Sequence, residues 1–338
     1  MMKTILITGA NGEIGHGLVE RYAQMADTRI IALDLSAVEN SLKSKCYKTF
    51  IGDILDAGLI QSLSAEHDFD AIFHLAALLS TKAEREPTLA HRVNVDGTLN
   101  LLEMAAGQSR AQGRDVKFIY PSSIAVYGLP SLPEKKSAGC IKERESLQPH
   151  TMYGINKLYC EQLGYYYTNH YRQLDADIVK GKVDFRGIRF PGLISAATVP
   201  TGGTSDFAPE MLHAAAQNKV YPCFVREDTR IPFMAMPDAI DGLMKLESAP
   251  KQGLTQQMFN ITAFNPTAGE ILTLVKASFP NAQVSFVPDA KRQGILDSWP
   301  EDIDDSAARK DWGWTPSYDL QRAFDEYLIP GVVKRYNL

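Results

Sequence analysis

Tyr153 and Lys157 stand four residues apart at the head of a run of helix formers, so a helix there sets both side chains on one face, one turn apart. That pairing suits proton transfer. A free phenol, with a pKa near ~10, is a poor base at neutral pH, and a neighbouring ammonium favours its phenolate. Ser123, in the run Pro121-Ser122-Ser123, follows an apolar stretch that reads as a strand, and its hydroxyl is suited to bond a substrate oxygen beside Tyr153. Ser122 reads instead as a turn hydroxyl bonded to backbone. Taken alone, the Tyr/Lys spacing also describes a packing tyrosine and a helix salt-bridge lysine; its weight comes from what precedes it in the chain.

The elements that must position these groups begin at the N-terminus. Lys3 to Thr8 reads as a strand, Gly9-Ala10-Asn11-Gly12-Glu13-Ile14-Gly15 as a turn, and the helix formers to about Met25 as a helix. In such a turn the first glycine permits the reversal, the second admits a pyrophosphate to the backbone N–H groups, and the third lets helix and strand pack closely. The helix N-terminus then faces the phosphates, which makes Gly9, Asn11, Gly12, Glu13, Ile14 and Gly15 the candidate cofactor contacts. The spacing GxxGxxG departs from the GxGxxG fingerprint, but a second strand, Arg29 to Leu33, ends in Asp34, near the ~20-residue offset of a ribose-binding acid. A carboxylate there repels a 2′-phosphate, so the expected cofactor is NAD, with Lys157 also holding its nicotinamide ribose.

A third strand, Tyr47 to Ile51, runs toward Asp53 and Ile54, and a fourth, Asp70 to Leu75, runs into Ala76-Ala77. Asp53, Ile54, Leu75, Ala76 and Ala77 are candidates to flank the adenine and the middle of the cofactor at the carboxyl edge of a parallel sheet; a turn Asp and a close-packed Ala pair are the plain alternatives. Pro87 to about Ala106 reads as one long helix, Arg110 to Arg114 as a break, Val116 to Tyr120 as a fifth strand, and Leu129 to Gln148 as an exposed loop. The helix opened by His150 is rich in tyrosine (Tyr159, Tyr165, Tyr166, Tyr167, Tyr171), a face that packs against core or a second subunit, and Val183 to Phe190 is a sixth strand.

Alternating strands and helices imply an α/β fold, a Rossmann-type doubly wound parallel sheet over residues 1–190. The shorter, mixed elements of 191–338 imply a smaller C-terminal α+β lobe that is mainly substrate-binding. Within it Gly202 to Ala208 reads as a loop into a helix, Arg230 to Met236 as strand-like, Asp238 as a helix cap, and Thr267 as the start of a further helix.

Composition narrows the classes. In 338 residues, 45% of them hydrophobic, no run is long enough to cross a bilayer. A net charge of −5 with scattered basic residues argues against nucleic acid as a partner. Cys46, Cys140, Cys160 and Cys223 lack metal-ligand spacing, so no metal is expected, and an N-terminus that opens directly into a strand fits a reducing cytoplasm.

The order Gly9-x-x-Gly12-x-x-Gly15, Pro121-Ser122-Ser123, Tyr153-x-x-x-Lys157 resembles that of the extended short-chain dehydrogenase/reductases, which include sugar-nucleotide epimerases and dehydratases. The distal half looks most like the epimerase-type L-threonine 3-dehydrogenases. The stretches that carry this likeness are Arg189 to Ser195, Gly202 to Ala208, Met236 to Ala239, Arg292 to Pro300 and Asp304 to Trp314. The resemblance implies oxidation of the threonine 3-hydroxyl by NAD+, with Ser123, Tyr153 and Lys157 as the catalytic set. It also implies Leu193 beside the cofactor and a homodimer formed through the helices near 88–106 and 152–172. Ser80 and Thr204 are candidates to bind the amino acid and Trp299 to cover it, against local capping and core packing as alternatives. Ser205, Phe207, Ala235 and a longer loop before Tyr153 depart from the family pattern and bear on substrate preference.

A sugar-nucleotide epimerase or dehydratase would use the same Tyr153, Lys157 and NAD, and would need cations for a diphosphate; Arg226, Arg230 and Arg292 are available in sequence. A non-enzymatic dinucleotide sensor would need no ordered Ser, Tyr and Lys.

Overall fold

Lys3-Thr4-Ile5-Leu6-Ile7-Thr8 does not alternate because both faces of the strand are covered: Ile5, Leu6 and Ile7 are fully buried. In the computed structural model, which describes residues 2–175, 181–200 and 203–338, this strand, β1 (Lys3–Thr8), lies within a seven-stranded sheet. Its companions are β2 (Thr28–Asp34), β3 (Lys48–Ile51), β4 (Ala71–His74), β5 (Val116–Ser123), β6 (Val183–Phe190) and β7 (Met258–Asn260), in the order β7-β6-β5-β4-β1-β2-β3. The pairings of β1 with β2 and β4, of β2 with β3, and of β4 with β5 are parallel.

The chain builds outward from β1 to β3 and then returns to lay β4 on the other flank of β1. That reversal leaves a crevice beyond the strand ends, the usual ligand position in such sheets. Thr8 is level with Leu33 and with His74, so the loops after β1, β2 and β4 emerge together.

The principal helices are α1 (Glu13–Tyr22), α2 (Ala57–Glu66), α3 (Gly97–Gln112), α4 (Leu132–Ala138), α5 (Met152–Asn169), α6 (Phe207–Ala216), α7 (Met236–Ser248), α8 (Ala268–Ser278) and α9 (Ala290–Asp297). Their starts follow from local chemistry. Asp56 caps α2, Asp289 caps α9, and Thr267 with Glu270 forms a reciprocal capping box on α8. The architecture is thus the doubly wound α/β sheet expected from the sequence. Among the described residues, no helix is long and apolar enough to cross a membrane.

The chain forms two units. One comprises Met1–Ser122, Ile155–Ile188 and Leu243–Met258, the other Ser123–Gly154, Arg189–Gly242 and Phe259–Leu338. The core of the first gathers Leu6, Ile31, Leu33 and Ile72 from the sheet with Leu101 and Leu102 of α3, and Phe118 stacks on Phe185 at 5.7 Å. In the second, short parallel pairs join Gly192–Ile194 to Phe233–Ala235, Tyr221–Cys223 to Val284–Phe286, and Cys140–Ile141 to Asp302–Ile303.

Several local expectations are corrected. The helical run from Pro87 passes through a wider turn at Arg92–Asp96 and continues to Gln112, because Arg110 to Gln112 are compatible with helix and the stop is Gly113, whose φ of +65° only glycine adopts readily. The segment 129–148 is not simply an exposed loop. It contains α4, whose Lys135 is buried and donates to the Leu296 carbonyl at 2.9 Å, its apolar stem hidden behind a charged composition. Asp238 is the third residue of α7, inside the helix and not ahead of it; its carboxylate accepts the N–H groups of Ser317 and Tyr318. Gly202 lies outside the described residues.

One ionic cluster fastens the first unit. Buried Glu247 near the end of α7 accepts Lys3 Nζ at 2.5 Å, Lys117 Nζ at 2.9 Å and the Tyr22 hydroxyl at 3.2 Å, tying the helix to the starts of β1 and β5. Burial alone would raise its carboxyl pKa, but Lys3 and Lys117 carry it below the ordinary value. The stabilisation is complete above the ordinary carboxylate pKa and is lost as pH falls through the lowered folded value. Glu247→Gln should therefore cost about 2 kcal/mol at neutral pH. In urea denaturation the two proteins should converge as pH falls below the ordinary carboxylate range; an equal gap at neutral and at acid pH would assign the loss to packing.

Candidate active site

The glycine turn is shaped by close contact. Gly9 has φ +69°, and a Cβ on it would lie 2.8 Å from the Ala76 nitrogen; a Cβ on Gly15 would lie 2.5 Å from the Ala10 carbonyl oxygen. Only glycine allows the turn to lie against the end of β4 and α1 to lie against the turn. Gly12 precedes α1 and has no side chain to cap it, and Glu13 and Ile14 open the helix's first turn.

Asp34 is fixed beside this turn. Its Oδ2 accepts the Asn11 N–H at 3.0 Å and its Oδ1 accepts Ser36, while the Asn11 amide bonds Ser36 Oγ and the Ala37 carbonyl. Asp53 turns one carboxylate oxygen onto the Leu55 N–H, and buried Ile54 fills the space above Gly97, where a Cβ would come within 2.4 Å of it. Leu75, Ala76 and Ala77 continue directly from β4.

Beneath them runs a chain of hydrogen bonds whose direction can be deduced. The Ala76 N–H donates to Thr8 Oγ1, Thr8 and Thr98 each lie 2.9 Å from a ring nitrogen of His74, and Thr98 donates to the Asn94 carbonyl. With the Thr98 proton committed, His74 Nε2 donates to Thr98 and Nδ1 accepts from Thr8. Burial holds His74 down to about 3, so it is neutral at working pH. Asn94 also grips the Leu78 backbone through both amide atoms, at 2.7 and 3.1 Å, and so places the segment leading to buried Ser80.

Lys157 of α5 is buried. Its ammonium donates to the Pro121 carbonyl at 2.6 Å and sits 4.5 Å from the centre of the Tyr120 ring. Burial pulls its pKa down to about 8, opposed by Cys160 and Glu161 on the same helix.

In the second unit, Ser123 Oγ accepts the Ala125 N–H at 3.1 Å, which leaves its hydroxyl proton to donate elsewhere. The head of α5 lies tight on that turn: a Cβ on Gly154 would come within 2.0 Å of the Ala125 oxygen, and Thr151 Oγ1 accepts the Gly154 N–H. Tyr153 sits between Met152 and this glycine, half-buried, with its phenol pushed above the ordinary value by burial. Leu193 lies in the strand Gly192–Ile194, and Thr204 and Trp299 are buried.

The candidates thus fall into two sets. The first unit gathers Gly9, Asn11, Gly12, Glu13, Ile14, Gly15, Asp34, Asp53, Ile54, Leu75, Ala76, Ala77, Ser80 and Lys157, and the second gathers Ser123, Tyr153, Leu193, Thr204 and Trp299, with Tyr153 and Lys157 carried on one continuous helix. Sequence reasoning missed His74, Asn94, Gly154 and Glu161. Glu161 alone had a legible signal, as the next residue along the Tyr153/Lys157 face of α5.

A doubly wound sheet with a close-packed glycine turn and a fixed carboxylate after β2 is the arrangement of an NAD-binding fold. The model of the NAD dependent epimerase/dehydratase family matches residues 5–262, and the chain belongs to that family. Its cofactor is NAD(H), and the enzyme is an NAD-dependent dehydrogenase. The chain is similar to the mitochondrial L-threonine 3-dehydrogenase of Bos taurus, 33% identical over 320 residues, covering 94% of this chain and 79% of that one. Among solved structures it is similar to L-threonine dehydrogenase of Clostridium difficile (34% identity, TM-score 0.86, 99% of each chain). It is likewise similar to a monomeric L-threonine 3-dehydrogenase from a metagenome (36% identity, TM-score 0.85, 99% and 100%).

The Lys157 ammonium is lost as pH rises through about 8. Turnover should therefore decline on the alkaline side of that value in a kcat profile, whereas a profile still rising a full unit above it would exclude the charged lysine from the reaction.

Proposed function

We propose that the enzyme oxidises the 3-hydroxyl of L-threonine to 2-amino-3-oxobutanoate. Tyr153 takes the hydroxyl proton, Ser123 donates a hydrogen bond to the same oxygen, and Lys157 favours the phenolate from one turn along α5. Bound NAD+ supplies the acceptor for the hydride that leaves C3. The product is a β-keto acid, prone to lose carbon dioxide. Ser80 and Thr204 are the candidates for the amino acid's polar groups, and Trp299 is the candidate to cover it.

The observation that favours this reading over a sugar nucleotide concerns three arginines. Arg226 is held by Asp297 through two bonds of 2.8 Å and by Asp228 at 3.0 Å. Arg230 donates to the Asn265 carbonyl and to Glu270, and Arg292 stacks on Phe224 and donates to the Gly203 carbonyl. Each guanidinium that a diphosphate would recruit is already bonded within its own unit. A zwitterionic amino acid needs no such cations, and near full-length likeness to two L-threonine dehydrogenases supports the same choice.

NADH formation should appear with L-threonine and stay at background with L-serine, 3-hydroxybutyrate and UDP- or dTDP-sugars. Tyr153→Phe should lower it by at least ~10²-fold while NAD+ affinity is retained. Turnover of a nucleotide sugar in place of threonine would overturn the assignment.

The same reading includes a homodimer. Tyr159, Tyr165 and Tyr166 of α5 and Leu99 of α3 are exposed, while Tyr167 and Tyr171 are committed to Glu103. Light scattering should give about twice the 37.4 kDa chain mass; a single-chain mass would count the protein with its monomeric metagenomic relative.

A further inference from the structure

The catalytic proposal leaves one buried carboxylate unexplained. Glu161 lies in α5 one turn beyond Lys157 and two turns beyond Tyr153, and only 2% of it is exposed. A carboxylate withdrawn from water is strongly disfavoured unless hydrogen-bonded and paired with a positive charge. Its Oε1 accepts the Ser122 hydroxyl at 2.5 Å, and Ser122 directly follows Pro121, whose carbonyl accepts the Lys157 ammonium at 2.6 Å. Lysine, carboxylate and strand end thus close a ring: Lys157 to Pro121, Pro121 to Ser122 through the chain, Ser122 to Glu161, and Glu161 back to Lys157 through one turn of helix.

We propose that Glu161 is a positioning residue, its carboxylate anchored by Ser122 so that Lys157 stays charged and held at the end of β5. Lys157 also faces His74, Cys160 and the Tyr120 ring. His74 is neutral and supplies no compensating negative charge. On the helix itself, Cys160 and the Glu161 carboxyl oppose the pull of burial on Lys157, and of these two Glu161 is the one tied to the strand end, through Ser122. The opposing alternative, that Glu161 only packs the helix against the strand, makes no demand on the charge of Lys157.

This inference rests on Lys157 acting as a cation in the proposed chemistry, but its test does not need a substrate. Lysine labelled with carbon-13 at Cε allows the Lys157 amine to be titrated by NMR in the cofactor-free protein, its resonance identified by its loss in Lys157→Met. Glu161→Gln keeps an acceptor for Ser122 and removes the charge, so the Lys157 titration should move down by about one pH unit. The alkaline limb of kcat should move with it. Ser122→Ala keeps the charge but frees the carboxylate, and should produce a smaller shift in the same direction. It carries the test alone if Glu161→Gln does not fold.

An unchanged Lys157 titration in the folded Glu161→Gln protein, or in Ser122→Ala where that stands alone, would overturn the proposal. A shifted titration without threonine turnover would uphold it and reject the substrate reading.

Discussion

A lysine ammonium held out of water at the end of β5 sets the terms for everything around it. Desolvation draws its pKa to about 8 against the opposing influence of Cys160 and Glu161, while the ammonium donates to the Pro121 carbonyl and lies over the face of Tyr120. Burial pushes the Tyr153 phenol the other way, toward its protonated form. Both shifts favour neutral groups, so the phenolate of the proposed chemistry depends on the positive charge at Lys157. The packing of α5 on the strand end is therefore an electrostatic matter as much as a structural one.

The nucleotide-binding elements depend on a different constraint, close approach of backbone to backbone. Gly9 and Gly15 leave no room for a side chain against Ala76 and Ala10, and the Asn11 N–H locks the turn to Asp34. Below the turn, neutral His74 links Thr8 of β1 to Thr98 of α3 and, through Asn94, to the Leu78 backbone. Movement of any one of these segments would be felt by the others.

Much of this was legible in the sequence. The glycine turn, the strand-ending Asp34 and the Tyr/Lys spacing are local patterns, and each follows from what one short element must do. Glu161, His74 and Lys135 were harder to read because their roles depend on burial. A charged residue in a helix or a polar stretch looks solvated until the fold shows it enclosed, and the partners of Glu161 and His74 lie 39 and 66 residues away in sequence. The segment 129–148 illustrates the same limit. Its composition is that of a surface loop, yet Lys135 and the Cys140–Ile141 strand are anchored by residues near position 300, which no local window contains. The arginines of the second unit mislead in the opposite sense: they read as available cations, and the structure has them bonded.

The central claim is that hydride leaves C3 of threonine. L-threonine carrying deuterium at C3 tests it directly, with the NADH formed examined by mass spectrometry. One deuterium in each NADH, together with a slowed single-turnover rate, is the expected result. Unlabelled NADH, or none with threonine from protein that still binds NAD+, would contradict it.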